Sequence, residues 1–286
     1  MPRGDLALSP APVLRAKMAL TRARSLRWRL WPGQAAPGLR ILFYHRVADE
    51  PDELAVSLRR FAAHMDLLAD EGLHALDVEE AVARHAEGRG AGVIGLCFDD
   101  GYADVADHAL PVLERHAFSA TVFLPTGVID GTAALSWYDH PPPMLSWEQI
   151  RAFDRAGTLR FGAHTVTHPN LTAIDDNTAR QEITGSKAAL EARVGHPVAT
   201  FCYPAGLFGA RERRLVAEAG FRLATSCEPG VNTPETDPFA LRRLQVERRD
   251  ALLDFRAKVA GGHDAPGRLR AAYRHWRFGA ATGAGF

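Results

Sequence analysis

The stretch "VIGLCFDDG" (residues 93–101) joins an apolar run directly to two adjacent carboxylates. Its first six residues carry no charge, which is typical of a strand buried on both faces of a parallel sheet. Asp99, Asp100 and Gly101 follow without a spacer. Neighbouring side chains of a strand point in opposite directions, so Gly101 would have to break the strand for both carboxylates to reach one site. Asp-Asp-Gly is also an ordinary turn sequence, so this stretch alone does not establish a site.

Similar apolar runs recur along the chain and alternate with segments of helical period. In one such segment, apolar residues recur at helical spacing from Leu58 to Leu68. In another, Ser146–Gln149 has the pattern of a capping box, which predicts the start of a helix. Strands that alternate with helices predict parallel pairing and right-handed crossovers. Six or seven such units favour a barrel over an open sheet. The other runs predicted as strands are residues 39–44, 120–124, 159–163, 199–203 and 221–225.

Four of these runs end in polar or turn residues. Residues 93–98 lead into Asp99, residues 159–163 into His164, residues 39–44 into His45, and "ATFCY" into the Pro-Ala-Gly of residues 204–206. The carboxyl ends of the strands form the active face of a parallel barrel. The sequence therefore predicts that these residues meet at one face.

The histidine pair in "HTVTH" (residues 164–168) suggests a metal site. Two imidazoles and one carboxylate are a common ligand set for a catalytic zinc or similar ion. Four residues make about one helical turn, which would aim His164 and His168 at one point, and Pro169 would then prevent a longer helix. Taken alone the pair has low specificity in a chain with 12 histidines. One of the two aspartates could bind the ion while the other takes a proton from water.

Composition and charge are those of a soluble globular protein. The chain has 286 residues, of which 47% are hydrophobic and 24% charged. Its three cysteines form no CxxC pair, so a disulfide framework is not expected. Residues 130–145, with three consecutive prolines, are predicted to form an irregular loop. Residues 261–286 are rich in glycine and alanine and are predicted to be a loosely held tail.

Charge is unevenly distributed although the formal net charge is zero. Residues 1–38 form a basic leader with a net charge of +6, which could contact an anionic membrane surface. As a helix, this leader would carry arginines on all sides, which favours a solvated, flexible segment over a membrane anchor. Neither a signal peptide nor a transmembrane run is expected, which favours a cytoplasmic location near the inner membrane surface. The acidic remainder argues against nucleic-acid binding.

Three ordered motifs make the chain resemble a known family. "FDDG" (98–101), "HTVTH" (164–168) and "FCYPAG" (201–206) resemble those of the polysaccharide deacetylases, also called the NodB-homology domain or carbohydrate esterase family 4. "LFYHRV" (42–47) and "FALRRLQV" (239–246) resemble its exopolysaccharide-deacetylase branch. The resemblance covers residues 39–260. It implies a distorted (β/α)₇ barrel that removes N-acetyl groups from the amino sugars of a polysaccharide, oligosaccharide or lipid-linked glycan.

The resemblance also implies roles for individual residues. Asp99 would be the general base, and the ligands of one divalent ion would be Asp100, His164 and His168. Zinc is the default ion, with nickel, cobalt and iron as alternatives. The bound ion would polarise the acetamide carbonyl and activate water. The backbone N–H of Ala205 would help to hold the oxyanion, since a proline such as Pro204 has none to offer.

The sequence departs from the family pattern where many members have an arginine that orients the catalytic aspartate. Cys202 occupies that position, and Arg243 is a candidate replacement from another strand, unless it is a surface residue that meets substrate or solvent. No clear general acid is found. His45 is the candidate, either as that acid or in substrate binding, with a core histidine as the alternative.

Several residues are candidates for lining the substrate pocket. Tyr203, Pro204 and Trp137 lie in or near the predicted loops of the active face, and buried aromatics are equally compatible with the pattern. Two alternative functions are also compatible with the sequence. One is removal of O-acetyl groups from glycans, and the other is a catalytically weakened barrel that binds carbohydrate.

Overall fold

The computed structural model describes residues 11–31 and 35–264. The strands are β1 (Arg40–Tyr44), β2 (Arg46–Val47), β3 (Ala55–Val56), β4 (His74–Leu76), β5 (Val93–Phe98), β6 (Ala120–Leu124), β7 (Leu159–Ala163), β8 (Thr200–Cys202), β9 (Leu223–Thr225) and β10 (Leu244–Gln245). The main sheet follows the order β10-β1-β5-β6-β7-β8-β9, with β4 paired to β5 beside this path, and every pair is parallel. A separate two-stranded sheet pairs β2 with β3.

The two edges of this sheet are joined by residues 241–245. Leu241 bridges to Thr225 of β9, and Leu244 pairs with Leu42 of β1. The sheet thus curls round on itself with seven strand positions, which confirms the predicted distorted (β/α)₇ barrel. The strands predicted from apolar runs are confirmed, with ends that differ by at most two residues.

Helices cover the outside of the sheet. They are α1 (Ala11–Leu30), α2 (Leu58–Asp70), α3 (Val78–Ala86), α4 (Leu110–Arg115), α5 (Thr126–Ile129), α6 (Trp147–Ala156), α7 (Asp176–Val194), α8 (Ala210–Glu218) and α9 (Leu252–Val259). A π-helical segment (Val105–Ala109) precedes α4. The predicted capping box is present, because Ser146 accepts from the Gln149 N–H and Gln149 accepts from the Ser146 N–H. Residues 130–145 contain neither a helix nor a ladder strand, as expected.

Alternate residues of each strand face two different apolar cores. On β1, Leu42 and Tyr44 pack outward beneath the helices, whereas Ile41 and Phe43 face the barrel interior. Cys97 and Cys202 also lie in that interior. Burial of both faces explains why the strands read as continuous apolar runs rather than as an alternating pattern.

The first described segment, α1, packs along the outside of α9. Ser25 Oγ lies 3.1 Å from His263 Nε2, and Arg22 forms a 3.1 Å ion pair with Asp254. Residues 1–10, 32–34 and 265–286 of the predicted leader and tail lie outside the described residues. Among the helices that the structure describes, none is both long and apolar enough to cross a membrane.

The cap of α6 gives a test of local stability. Ser146→Ala removes the hydrogen bond to the Gln149 N–H and is expected to lower the free energy of unfolding by about 1 kcal/mol. Ser57, at the start of α2, makes no side-chain cap bond, so Ser57→Ala is the matched control and should cost less. Urea denaturation at fixed metal concentration measures both values. Equal losses for the two variants would contradict this account.

Candidate active site and metal centre

The carboxyl end of β5 turns sharply into the site. Asp99 continues the sheet, since its N–H donates to the Tyr44 carbonyl oxygen at 2.9 Å. Asp100 and Gly101 then adopt left-handed conformations, with φ of 74° and 78°. Both aspartates are 3% exposed or less. Gly101 breaks the strand as the sequence required, and a Cβ there would lie 2.5 Å from Leu124 Cδ2.

The two histidines converge, but not through a helical turn. Residues 164–170 are irregular, and Thr165 and His168 have φ of 67° and 59°. The His168 N–H donates to Thr165 Oγ1 at 3.0 Å. The helical-turn explanation of the spacing is therefore wrong. Left-handed residues, which are uncommon outside glycine, fold the segment back on itself.

Glu182 of α7 holds this segment in place. Its Oε2 accepts from the N–H groups of Val166 and Thr167, both at 2.8 Å, and its Oε1 accepts from Thr167 Oγ1 at 2.7 Å. Three hydrogen bonds to one carboxylate offset the cost of a strained backbone. Sequence reasoning missed Glu182, because an acidic residue in a helix carries no local signal of a contact 15 residues away.

Asp100, His164 and His168 form a group that could hold a metal ion. The two Nε2 atoms lie 3.1 Å apart, and Asp100 Oδ1 is 3.6 Å from each of them. Ligands at the usual zinc distances are about 3.3 Å from one another in a tetrahedral site. The spacing of the three atoms fits one ion bound between them.

Hydrogen bonding sets the tautomer of His164. Its Nδ1 lies 2.7 Å from the Cys202 carbonyl oxygen, which can only accept, so Nδ1 carries the proton in the neutral ring. The lone pair of Nε2 is then directed at the site, as metal ligands require. The Nδ1 of His168 is buried and has no hydrogen-bond partner among the described residues.

A second group of possible ligands, formed by Asp99, His164 and Cys202, fits a metal less well. Arg243 already occupies both oxygens of Asp99. Burial also raises the pKa of the Cys202 thiol, which opposes formation of the thiolate that a metal would bind. Asp100, His164 and His168 are therefore the better candidate for a metal centre.

Arg243 occupies the barrel interior and binds Asp99 with both arms of its guanidinium. Nη1 donates to Oδ1 at 2.7 Å and Nη2 to Oδ2 at 2.8 Å. The guanidinium carbon lies 4.2 Å from the ring centre of Phe43, and the side chain has no exposed surface. The prediction that Arg243 contacts substrate is wrong, because a side chain enclosed in the barrel cannot meet a sugar. Its contact with Asp99 is instead the one expected of an arginine that replaces the residue missing at Cys202.

Small residues make room for this arginine. Cys97 Sγ and Cys202 Sγ lie 3.3 and 3.1 Å from the guanidinium nitrogens. Cys202, which stands where the family pattern has an arginine, thus borders the guanidinium together with Cys97. A thiol at these positions leaves space for an arginine that enters from residue 243.

Opposite electrostatic effects act on the two aspartates. Burial raises the pKa of Asp99, but the charge and hydrogen bonds of Arg243 outweigh it and lower the pKa to about 2. Burial raises the pKa of Asp100 to about 7 without a metal, although the charge of His164 opposes it. Asp99 is therefore ionised at neutral pH, whereas Asp100 is only partly ionised there, and a bound cation would favour its charged form.

The remaining candidates occupy different surroundings. His45 follows β1 and is half-buried, and its pKa is lowered by burial, an effect that the charge of Asp99 partly opposes. Trp137 is half-buried, with its ring centre 5.0 Å from that of His168. Ala205 is left-handed (φ 53°) in the turn formed by residues 204–206, where Pro204 is buried.

Tyr203 belongs to the core. It is fully buried, its hydroxyl donates to the Phe239 carbonyl oxygen at 3.0 Å, and its ring stacks on Phe208. These contacts favour the alternative in which Tyr203 is a core residue. Its side chain has no exposed surface with which to contact a sugar. Trp137 is thus the aromatic candidate that lies beside His168 of the candidate metal centre.

Comparison with known proteins identifies the family. A family model described as polysaccharide deacetylase matches residues 86–224, which include Asp99, Asp100 and both histidines. The predicted resemblance to the polysaccharide deacetylase family is confirmed. The predicted enzyme class, a hydrolase acting on carbon–nitrogen but not peptide bonds, is that of this family.

Two curated relatives cover most of the polysaccharide deacetylase barrel. The Bacillus subtilis protein YxkH, assigned to the polysaccharide deacetylases, is 26% identical over 210 residues, covering 73% of this chain and 71% of its own. The poly-β-1,6-N-acetyl-D-glucosamine N-deacetylase of Staphylococcus aureus is 20% identical over 214 residues and covers 72% of each chain.

Solved structures share the fold. The Streptococcus pyogenes deacetylase PplD, in complex with acetate, has a TM-score of 0.67 at 22% identity and covers 74% of this chain and 94% of its own. IcaB from Ammonifex degensii has a TM-score of 0.67 at 24% identity and covers 80% and 98%. These similarities support the barrel architecture.

The contacts of Glu182 predict an indirect effect on metal binding. Glu182→Gln removes the negative charge and one of the two acceptor oxygens that hold the segment leading to His168, and should lower zinc affinity by roughly tenfold or more. Competition with a chelating dye measures the affinity. Glu148→Gln, an exposed change on α6, is the control, and Asp100→Asn shows the larger loss expected when a ligand is removed. Unaltered affinity in Glu182→Gln would contradict the positioning role.

Proposed function

We propose that this polysaccharide deacetylase removes N-acetyl groups from the amino sugars of a glycan by metal-dependent hydrolysis. The observation that carries the proposal is the arrangement of the two aspartates. Asp100 Oδ1 lies 3.6 Å from the Nε2 atom of each imidazole, while an ion pair with Arg243 keeps Asp99 ionised. One carboxylate is thus available to a metal and the other to a proton.

A bound divalent ion would polarise the acetamide carbonyl and make water more acidic. The fit of Asp100, His164 and His168 supports these three as its ligands, with zinc as the default and nickel, cobalt or iron as alternatives. His164 and His168 would contribute neutral Nε2 atoms, and the hydrogen bond to Cys202 supports that tautomer for His164.

Asp99 would accept the proton of the attacking water. Its low pKa keeps it ionised, and the bidentate contact with Arg243 fixes its orientation. The Ala205 N–H would donate to the oxyanion that forms on the acetyl oxygen. The carbon–nitrogen bond then breaks, the amine takes a proton, and acetate and a free amino sugar leave.

His45 is our candidate for the acid that protonates the amine. It lies close enough to Asp99 and His164 for their charges to affect its pKa. Trp137 is the candidate for contact with the acetyl group or the sugar ring, because it lies against His168. Both roles remain predictions.

The substrate is proposed to be an N-acetylated glycan or glycolipid. A named relative acts on poly-β-1,6-N-acetyl-D-glucosamine, which supports an N-acetylglucosamine polymer as the first substrate to test. Lipid-linked sugars would place the enzyme next to an anionic membrane. The cytoplasmic location inferred from the sequence remains a prediction.

Acetate release tests the proposed reaction. The zinc-loaded enzyme is expected to release acetate from N-acetylglucosamine oligomers, and a chelator should abolish this activity. Asp99→Asn should retain zinc but lose at least about 10²-fold in kcat/KM, because it removes the base. Asp107→Asn, an exposed change after the same strand, is the matched control.

Other outcomes separate the alternatives. Release only from O-acetylated glycans would indicate an esterase. Glycan binding without acetate release from either substrate would indicate a carbohydrate-binding barrel. Full activity in Asp99→Asn would falsify the assignment of the base.

The contact of Arg243 with Asp99 predicts how activity depends on pH. Burial and Arg243 act in opposite directions on Asp99, so Arg243→Gln should raise the pKa of Asp99 from about 2. A base with a raised pKa becomes protonated at higher pH, so activity should be lost earlier as pH falls. The acid limb of kcat/KM should move upward by about one unit or more.

Arg243→Lys provides the second variant, because an unpaired buried carboxylate destabilises a protein by roughly 3–5 kcal/mol. The lysine keeps the charge but not the two-armed geometry, so its acid limb should move less than that of the glutamine variant. Bound metal is measured at each pH. An equal loss of activity at all pH values would contradict the electrostatic role.

A further inference from the structure

The outer face of α1 is unusually apolar. Five large hydrophobic side chains of the described residues are strongly exposed, and all lie on α1, directly after it, or on its neighbour α9. They are Leu20 (43%), Leu26 (51%), Leu30 (57%), Trp31 (73%) and Leu252 (46%). Their concentration in one region distinguishes them from the scattered apolar residues of an ordinary surface.

The inner face of α1 is comparatively polar. Thr21 and Ser25 are buried, and Ser25 Oγ donates to the Thr21 carbonyl oxygen at 2.9 Å. A helix that merely covers a barrel turns its apolar stripe inward. Here Leu26 and Leu30 point away from the protein. Packing against the barrel therefore does not explain them.

Basic side chains border this apolar face on both sides. Arg15, Arg22 and Arg29 recur at intervals of seven residues and form one row, while Lys17 and Arg24 lie on the opposite border. Arg27 lies within the face and is exposed. Residues 11–31 contain no acidic residue.

A groove adjoins this face between α1, α2 and α9. Its volume is about 450 Å³, and its lining combines apolar and cationic groups: Trp28, Arg29, Leu67, Leu252, Leu253 and Arg256. Leu252 and Arg29 thus extend the apolar face and its basic border onto the barrel.

We propose that α1 is a docking surface for an anionic phospholipid membrane, on which the helix lies parallel to the bilayer plane. Leucines and Trp31 would enter the boundary between headgroups and acyl chains, and the arginines would reach lipid phosphates. Tryptophan favours this boundary because its ring is apolar and its N–H is polar. The apolar residues match the acyl chains of such a membrane, and the flanking cations match its negative charge.

Charge argues against a second copy of the chain as the occupant. Two identical faces brought together would oppose like charges, since the exposed Arg15, Arg27 and Arg29 would meet cations of the other copy, and α1 carries no acid to pair with them. Anionic lipid instead neutralises each cation and contributes about 1 kcal/mol per basic residue at the surface.

This docking would place the active face beside the membrane. Met18 Sδ lies 3.3 Å from Nη1 of Arg249, which is in the loop that follows β10 at the active end of the barrel. Trp28 packs against Gly262, beyond α9. The helix therefore runs along the side of the barrel, so a flat-lying α1 would leave the strand ends opening along the bilayer surface.

Vesicle sedimentation tests the surface with the zinc-loaded full chain and no glycan. The protein is expected to bind phosphatidylcholine vesicles containing phosphatidylglycerol, and to bind pure phosphatidylcholine far less. The triple variant Arg15→Gln/Arg27→Gln/Arg29→Gln should lower the partition coefficient roughly 100-fold. Arg89→Gln/Arg151→Gln/Arg155→Gln makes the same charge change elsewhere on the barrel and should have little effect.

Apolar contact is measured separately. Leu26→Ser/Leu30→Ser/Trp31→Ser should also weaken binding, with circular dichroism as a check on the helix. Tryptophan emission of the wild-type protein should shift to shorter wavelength on anionic vesicles, and Trp31→Phe should lose this shift while still binding. The Trp31→Phe readout holds even where the triple serine variant unfolds α1.

Two results would overturn the proposal. The first is no binding of the wild-type protein to anionic vesicles, and the second is equal weakening by the two arginine triples, which would show an effect of net charge alone. A concentration-dependent dimer that the serine variant abolishes, without vesicle binding, would assign the face to a second copy. Because none of these measurements uses catalysis, they succeed or fail independently of the proposed deacetylation.

Discussion

The buried ion pair between Arg243 and Asp99 is the contact on which the site depends. It joins the segment that closes the barrel to the end of β5 across 144 residues of chain, with the ring of Phe43 packed against the guanidinium. Two buried charges are costly unless their geometry and hydrogen bonds are good. The paired donors of arginine meet that condition, and a lysine would not meet it equally.

This ion pair also gives two adjacent carboxylates different pKa values. Without Arg243, burial would raise the pKa of Asp99 as it does that of Asp100. With it, Asp99 stays ionised, and Asp100 faces the two imidazoles without a cation of its own. Neighbouring residues with the same side chain thus acquire different chemistry from the groups around them.

Backbone strain is concentrated at the same place. Among the described residues other than glycine, five have positive φ, and all except Ala117 lie in the three motif segments: Asp100, Thr165, His168 and Ala205. Such conformations persist only where surrounding contacts hold them. Glu182 supplies those contacts for the histidine segment from a helix that the motifs do not include.

The strands, the barrel and the convergence of Asp99, Asp100, His164 and His168 could be predicted from the sequence, because burial on both faces leaves continuous apolar runs and parallel strands end together. Other features became visible only in the folded chain. The sequence left Arg243 and Tyr203 with two alternatives each and did not indicate Glu182, because the contacts that settle these roles join distant segments and no local pattern encodes them. Likewise, the exposed apolar face of α1 could not be predicted, because its arginines lie on all sides of a helical wheel. The packing of α1 against α9 shows which face is exposed.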